Sequence, residues 1–482
     1  MSPDTGVNKV NRNSAIGRAK RFFDDDLFFN LMADWVALDT GSQRDDRKPE
    51  MLAYLEKKIA PYIESMGFHS RIVENPIEPC APFLIGRRIE DESLPSILIY
   101  GHGDTVPLME SEWEKGLDPL KLTKEGSKWY GRGTADNKGQ HVINLAALDC
   151  VIKEKGTLGF NVIILIESGE EAGSPGLHQI CKQEKEWLKA DVLIASDGPR
   201  IDPEVVTIFG GSRAVFNFDL TVNLRKGGHH SGNWGGLLAN PAIILSHAIA
   251  SMVNSKGKIL IEALRPETIP PSVEKSIDKL TITGEGGPEI DPEWGEPGLS
   301  SAGKVYGWNT LEVLALKCGD PAQPAHAIPP EAWVRCHIRF IADSNPDTFI
   351  PAIRKHLDDH GFSVVGIEPV PNNYGLATRM DPDNPWVEFT TSSFEATLGK
   401  KVAFLPNLGG TLPNDAFSHV LAMPTIWVPH SYAGCSQHAP NEHFLEEIGR
   451  EGLQLMTGLF WDIGEDKTDF VKGECNVHGC LL

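Results

Sequence analysis

The chain predicts an α/β fold: a mainly parallel sheet with helices on both faces, and a second α/β unit inserted into it. Three observations carry this. Short apolar runs at residues 97–100, 161–167 and 191–196 alternate with apolar-periodic helical stretches, the pattern of buried strands joined by crossover helices. Each run ends in glycine and a cluster of histidine or acidic residues, where open α/β sheets carry their sites. After Thr207 the texture changes, and residues 214–224 alternate apolar and polar like a half-exposed antiparallel strand.

The elements follow in order. Residues 21–38 read as one amphipathic helix, with Phe22, Phe23, Leu27, Phe28, Leu31 and Trp35 on the buried side and Thr40-Gly41-Ser42 as its stop. A helix at 49–66 ends at Gly67; 70–74 is a strand and 76–82 a loop. The strand at 97–100 leads into His102 and Asp104. The glycine-rich stretch 131–139 precedes a helix at 140–153. The strand at 161–167 delivers Glu170 and Glu171, and a helix carrying Leu177, Ile180 and Trp187 follows. The strand at 191–196 delivers Asp197.

Residues 208–375 read as the inserted unit, with 1–207 and 376–482 forming the first. Within the insert, 227–232 is a loop and 240–253 a helix. Residues 266–330, rich in Pro, Gly and Glu, show few clear elements; so long an irregular stretch is usually functional or poorly ordered. A strand at 333–341, a helix at 345–360 and a strand at 363–370 complete it. The chain then returns through a helix at 383–398, a strand at 402–405 leading to Gly409-Gly410-Thr411, a strand at 424–428, a loop bearing His438, and a last helix at 444–461. No internal repeat is visible.

Composition bounds the function. A chain of 482 residues exceeds one typical core, so two domains are expected. With 66 acidic against 45 basic residues the formal net charge is −21, which argues against nucleic acid or an anionic membrane as partner. No apolar run is long enough for a membrane span, and residues 1–20 lack the apolar core of a signal peptide. Eight scattered cysteines suit reduced thiols in a cytoplasmic setting. Cys475, His478 and Cys480 have metal-like spacing, but they find no fourth partner nearby and read as a structural or frayed tail.

Four strand ends are thus expected to present His102 with Asp104, Asp136, Glu170 with Glu171, and Asp197, and a fifth loop to present His438. This is a nitrogen and oxygen donor set without thiolate, which suits zinc, manganese or cobalt. Two divalent ions bring four positive charges, which three carboxylates and a bridging hydroxide would cancel, allowing the site to sit in a dry cleft.

The motifs Gly101-His102-Gly103-Asp104-Thr105-Val106-Pro107, Gly131-Arg132-Gly133-Thr134-Ala135-Asp136-Asn137-Lys138-Gly139, Glu170-Glu171-Ala172-Gly173-Ser174, Ala195-Ser196-Asp197-Gly198, His230-Ser231-Gly232 and His438-Ala439-Pro440-Asn441-Glu442 stand in a fixed order. Through them the chain resembles the M20 family of dinuclear zinc peptidases, which spans carnosinase-type dipeptidases, carboxypeptidases of the G2 type and aminoacylases. The resemblance implies a catalytic domain interrupted by a lid domain through which the protein forms a homodimer. It implies two divalent metal ions, zinc foremost, with Asp136 bridging them. His102 and Asp197 would complete one metal site, Glu171 and His438 the other. Glu170 would be the general base toward a two-metal-activated water, and Asp104 would hold the His102 ring.

The resemblance further implies that His230 stabilises the tetrahedral oxyanion in the partner subunit's site, with His229 a rival. Arg339 would bind the substrate's carboxylate, with Arg335 a rival on the same strand face, and Gly409, Gly410 and Thr411 would cradle that carboxylate. Asn137 departs from the pattern, since many relatives have aspartate there beside a cis peptide. The expected activity is hydrolysis of an amide bond in a small peptide, as a dipeptidase or carboxypeptidase-like enzyme. The alternative is an aminoacylase acting on N-acyl amino acids, and the reading from another class is a non-catalytic scaffold of the same fold.

Overall fold

The computed structural model describes residues 10–278, 280, 282, 289–370 and 375–466. Its larger sheet has eight strands in the order His69–Val73, Phe83–Arg88, Asn161–Glu167, Ser96–His102, Val192–Ala195, Thr425–Trp427, Val206–Phe209 and Val402–Leu405. The central strands from Asn161–Glu167 to Thr425–Trp427 are parallel, and the two at the first edge run antiparallel. The apolar runs form these central strands because both faces are covered. One apolar layer holds Val142, Leu145, Leu455 and Leu459 from the helices Lys138–Lys155 and Glu446–Glu465; the other holds Leu177, Ile180 and Phe417. Each fully buried side chain of this size contributes about 1.5–3 kcal/mol of transfer free energy. Helix Lys138–Lys155 is buried along most of its length, because it is wedged between the sheet and the outer helices.

Several expectations need correction. The helix expected at 21–38 is two helices, Arg12–Asp24 and Leu27–Val36. Asn11 caps the first in a capping box, and Asp26 breaks the run at φ 59°. The break offsets the two apolar stripes, so Leu27 is 51% exposed although Phe23 and Phe28 are buried. Strands Phe83–Arg88 and Val206–Phe209 were not anticipated. Helix Leu177–Gln183 ends before Trp187. Within 266–330 the chain forms helices Pro271–Ile277 and Ser301–Tyr306 and the strand Thr310–Lys317. That strand lies at a sheet edge with Val313, Leu314 and Leu316 exposed, so it lacks the alternation that marks half-buried strands. The stretch 227–232 holds a short strand, His229–His230, and the start of a one-turn helix, Ser231–Trp234. The Cys475–Cys480 tail lies outside the described residues.

The second sheet is antiparallel, in the order Thr310–Lys317, Glu331–Phe340, Ala214–Asn223, Gly366–Pro369. Helices Pro241–Met252 and Phe349–Asp359 cover one face, packing Leu245, Met252, Ile353 and Leu357 against Phe218, Val334 and Cys336. Two connections join the sheets. They run side by side, with the Thr378 amide donating to Ser212 O at 2.9 Å and the Ser212 amide to Thr378 Oγ1 at 3.1 Å. Gly211 is required here, since a Cβ would stand 2.4 Å from Thr378 O. The six described cysteines are unpaired, and no helix among the described residues is long and apolar enough to cross a membrane.

Candidate active site

Strand Ser96–His102 lies between Asn161–Glu167 and Val192–Ala195, with His102 level with Glu167. Parallel neighbours release their loops at one edge, so His102, the Glu170–Glu171 turn and Asp197 emerge together. Two glycines let this strand end sink into the core: a Cβ on Gly101 would stand 2.5 Å from His141 Cβ, and one on Gly103 2.5 Å from the Tyr54 ring. Beneath them runs a buried polar chain. Tyr54 Oη meets His141 Nε2 at 2.7 Å, and His141 Nδ1 meets Asn137 Oδ1 at 3.0 Å. Asn137 also donates Nδ2 to Ser196 O at 2.7 Å, tying the Asp136 loop to the Asp197 strand. The peptide bond between Asp136 and Asn137 is cis.

Asp136 is not at a strand end, contrary to expectation. It sits in the loop before helix Lys138–Lys155, and Glu442 holds it there. The Glu442 carboxylate accepts from the amides of Asp136 (3.0 Å), Ala135 (2.8 Å) and Gly133 (3.0 Å) and from Arg132 Nη1 (2.8 Å). Asp136 then turns one oxygen toward each imidazole: Oδ1 lies 3.0 Å from His102 Nε2 and Oδ2 3.1 Å from His438 Nε2. Asp197 Oδ2 lies 3.5 Å from His102 Nε2, and Glu171 Oε2 3.0 Å from His438 Nε2. The result is two three-residue groups that share Asp136, His102–Asp136–Asp197 and Asp136–Glu171–His438, each with ligand atoms within 4.8 Å of one another.

Asp104 has two tasks, one of them unforeseen. Its Oδ1 lies 3.3 Å from His102 Nδ1, on the far side of the ring from Asp136. Its two carboxylate oxygens also accept the amides of Glu170 (3.2 Å) and Glu171 (3.1 Å), which orients the turn bearing both acids.

Charge shows whether these residues suit metal ions. The imidazoles of His102 and His438 face four carboxylates and do not neutralise them. Burial, against the opposing hydrogen bond from His438, pushes Glu171 up to about 7. Burial, reinforced by the neighbouring acids, lifts Glu170 well above the ordinary range and Asp197 above it as well. Burial also acts on Asp136, but the hydrogen bonds from His102 and His438 outweigh it and hold that acid low. Asp136 and Glu171 together push His438 up to about 11. Glu171 Oε1 is buried without a hydrogen-bond partner. An excess of buried carboxylate, imidazoles offering Nε2, and an orphaned carboxylate oxygen fit divalent cations that accept mixed nitrogen and oxygen ligands.

A cavity of about 450 Å³ opens beside this centre. Glu170, Glu171, His438, Arg339, Thr411 and His178 are among the residues that line it. Arg335 and Arg339 do share a strand face, but Arg335 is bound bidentately to Asp219 at 2.8 and 2.9 Å. Arg339 Nη1 donates to Thr411 Oγ1 at 2.5 Å at the cavity wall. Gly409 and Gly410 are not part of the lining; the Gly409 carbonyl accepts from Arg213 Nε at 2.9 Å. His230 is outside the cavity too, exposed on the second unit with its Nδ1 accepting the Gly232 amide at 3.1 Å.

Sequence reasoning missed the roles of Glu442 and the cavity residues His178 and Asp415. Glu442 could have been suspected, since it closes the His438 motif.

A model of peptidase family M20/M25/M40 matches residues 98–462. The chain is 28% identical over 474 residues to the human Beta-Ala-His dipeptidase, covering 91% of this chain and 90% of that protein. It is 32% identical over 371 residues to a cysteinylglycine-S-conjugate dipeptidase of Corynebacterium striatum, covering 74% and 78%. It spans about half the length of the rat and mouse Beta-Ala-His dipeptidases that it also matches, 53% and 52%. Among solved structures, the dipeptidase Dug1p of Saccharomyces cerevisiae superposes with a TM-score of 0.75 at 21% identity, over 95% of this chain and 99% of that one.

Proposed function

Because the chain belongs to peptidase family M20/M25/M40, we propose that it is a metal-dependent hydrolase of peptide bonds in small substrates, with dipeptides as the substrate class. The observation that carries this reading is the pair of ligand groups sharing Asp136, with Glu170 beside them in the cavity. His102, Asp136 and Asp197 would hold one divalent cation, and Asp136, Glu171 and His438 the other, zinc, manganese or cobalt. Such a pair supplies Lewis-acid activation of water and of the scissile carbonyl.

The chain's own groups do the rest. Glu170 takes the proton from the attacking water and returns it to the leaving amine. Asp104 keeps the His102 ring and the Glu170–Glu171 turn in place. Arg339, steadied by Thr411, holds the substrate's terminal carboxylate. The relatives named above as dipeptidases support a dipeptide over an N-acyl amino acid.

Chelation is expected to abolish turnover, and added zinc, manganese or cobalt to restore it, with dipeptides consumed faster than N-acetyl amino acids. A chain that hydrolyses neither class with any of these metals would sink the proposal.

The second unit is proposed as a lid through which two copies associate, bringing His230 of one to the cavity of the other. The exposed apolar side chains Trp234, Leu237, Ile243 and Leu314 support this. Mixing a His230→Ala variant with a Glu170→Ala variant, each inactive, should regenerate activity in hybrid dimers. A His230→Ala variant that retains full kcat would end His230's part.

A further inference from the structure

The cavity holds a pair of side chains that the reaction above does not use. His178 stands in helix Leu177–Gln183, and Asp415 follows Pro413 in the loop that carries Thr411. Both line the same space as Glu170 and Arg339. His178 Nε2 lies 2.9 Å from Asp415 Oδ2. A carboxylate only accepts, so Nε2 is the donor. The same Oδ2 accepts the Leu376 amide at 2.9 Å, so the carboxylate is fixed from two sides. Gly375 passes so close that a Cβ there would stand 2.5 Å from either Asp415 oxygen.

The two partners differ in exposure. The Asp415 side chain is 7% exposed, whereas the His178 side chain is 38% exposed. The carboxylate is therefore behind and the imidazole in front. His178 Nδ1 makes no hydrogen bond among the described residues. In the neutral ring that nitrogen would only accept; in the cation it is a second donor. Asp415 favours the cation: its hydrogen bond raises the His178 pKa against the opposing burial, helped by Glu167 and countered by Lys182.

We propose that His178, positioned by Asp415, is a specificity determinant that selects peptides carrying an acidic side chain in addition to the terminal carboxylate held by Arg339. The inference rests on the peptide-hydrolase reading. The size of the cavity suits a dipeptide. Apart from Arg339 and the proposed metal ligand His438, His178 is the lining side chain that can carry positive charge toward a second carboxylate. A hydrogen bond to a charged donor is roughly twice as strong as a neutral one, so the ring distinguishes glutamate from glutamine of the same shape.

The test uses two isosteric pairs, Ala-Glu with Ala-Gln and Glu-Ala with Gln-Ala, on the metal-loaded protein. The acidic member of one pair is expected to have a KM lower by about tenfold, the size of one charge-assisted hydrogen bond. This preference should fade as pH rises past the His178 pKa, because the ring loses its second donor. His178→Gln should remove the preference and leave kcat and KM for the neutral member within about threefold, whereas Arg339→Ala should raise KM for both members. No preference in the wild type, or equal losses on both members in His178→Gln, would overturn the proposal. If none of the peptides is hydrolysed, the peptidase reading fails instead. Calorimetric binding of the same peptides to wild type and His178→Gln then decides the His178 question separately: acid-selective binding lost in the variant upholds it, and unselective or absent binding overturns it.

Discussion

Glu170→Ala is expected to lower kcat by about 10²–10⁴-fold, the usual contribution of a positioned general base, with both metals still bound. The expectation follows from where the side chain stands. Glu170 lines the cavity but belongs to neither ligand group, whereas its neighbour Glu171 lies 3.0 Å from His438. Asp104 grips the turn after strand Asn161–Glu167 through the amides of both acids, so neither carboxylate is spent on holding the turn. Removing one should therefore not disturb the other. Elemental analysis should find unchanged metal content, and thermal unfolding should find an unchanged midpoint. Retained turnover would remove Glu170 as the base; lost metal would make it a ligand.

Glu442→Ala should act on stability instead, lowering it by about 3–5 kcal/mol, the cost of breaking a buried ion pair on one side. Glu442 and Arg132 are each 1% exposed, and Arg132 Nε and Nη2 are buried without hydrogen-bond partners. Without the carboxylate, the guanidinium loses its counter-charge and three amides of the Asp136 loop lose their acceptor. The loop should loosen and carry Asp136 with it, weakening metal affinity by about 10–100-fold, as losses of supporting groups around metal ligands do. Denaturant unfolding and metal competition measure the two effects. Wild-type stability together with wild-type affinity would show that the loop needs no such anchor.

Much of the site was legible because its signals are local. A buried apolar run followed by glycine and a ligand-type residue marks a strand end, and His102, Asp104, Glu170, Glu171 and Asp197 all lie where such ends predict. Asp136 gave a weaker signal, since a glycine-rich loop before a helix resembles a loop after a strand. The helix expected at 21–38 failed for a similar reason. Two consecutive amphipathic helices present one continuous periodicity when the residues between them, Asp25 and Asp26, are not recognised as a break.

Residue types and spacing determined the donor chemistry, nitrogen and oxygen without sulfur, and the alternation of strands and helices, because both depend on neighbours within a few positions. Tertiary structure decided which groups meet. His438 faces Asp136 across 302 positions, His178 meets Asp415 across 237, and Asp219 occupies Arg335, leaving Arg339 to line the cavity. The physical reason is that strand order brings distant loops to one sheet edge, and crossovers that set this order leave no mark in the spacing of the residues they unite.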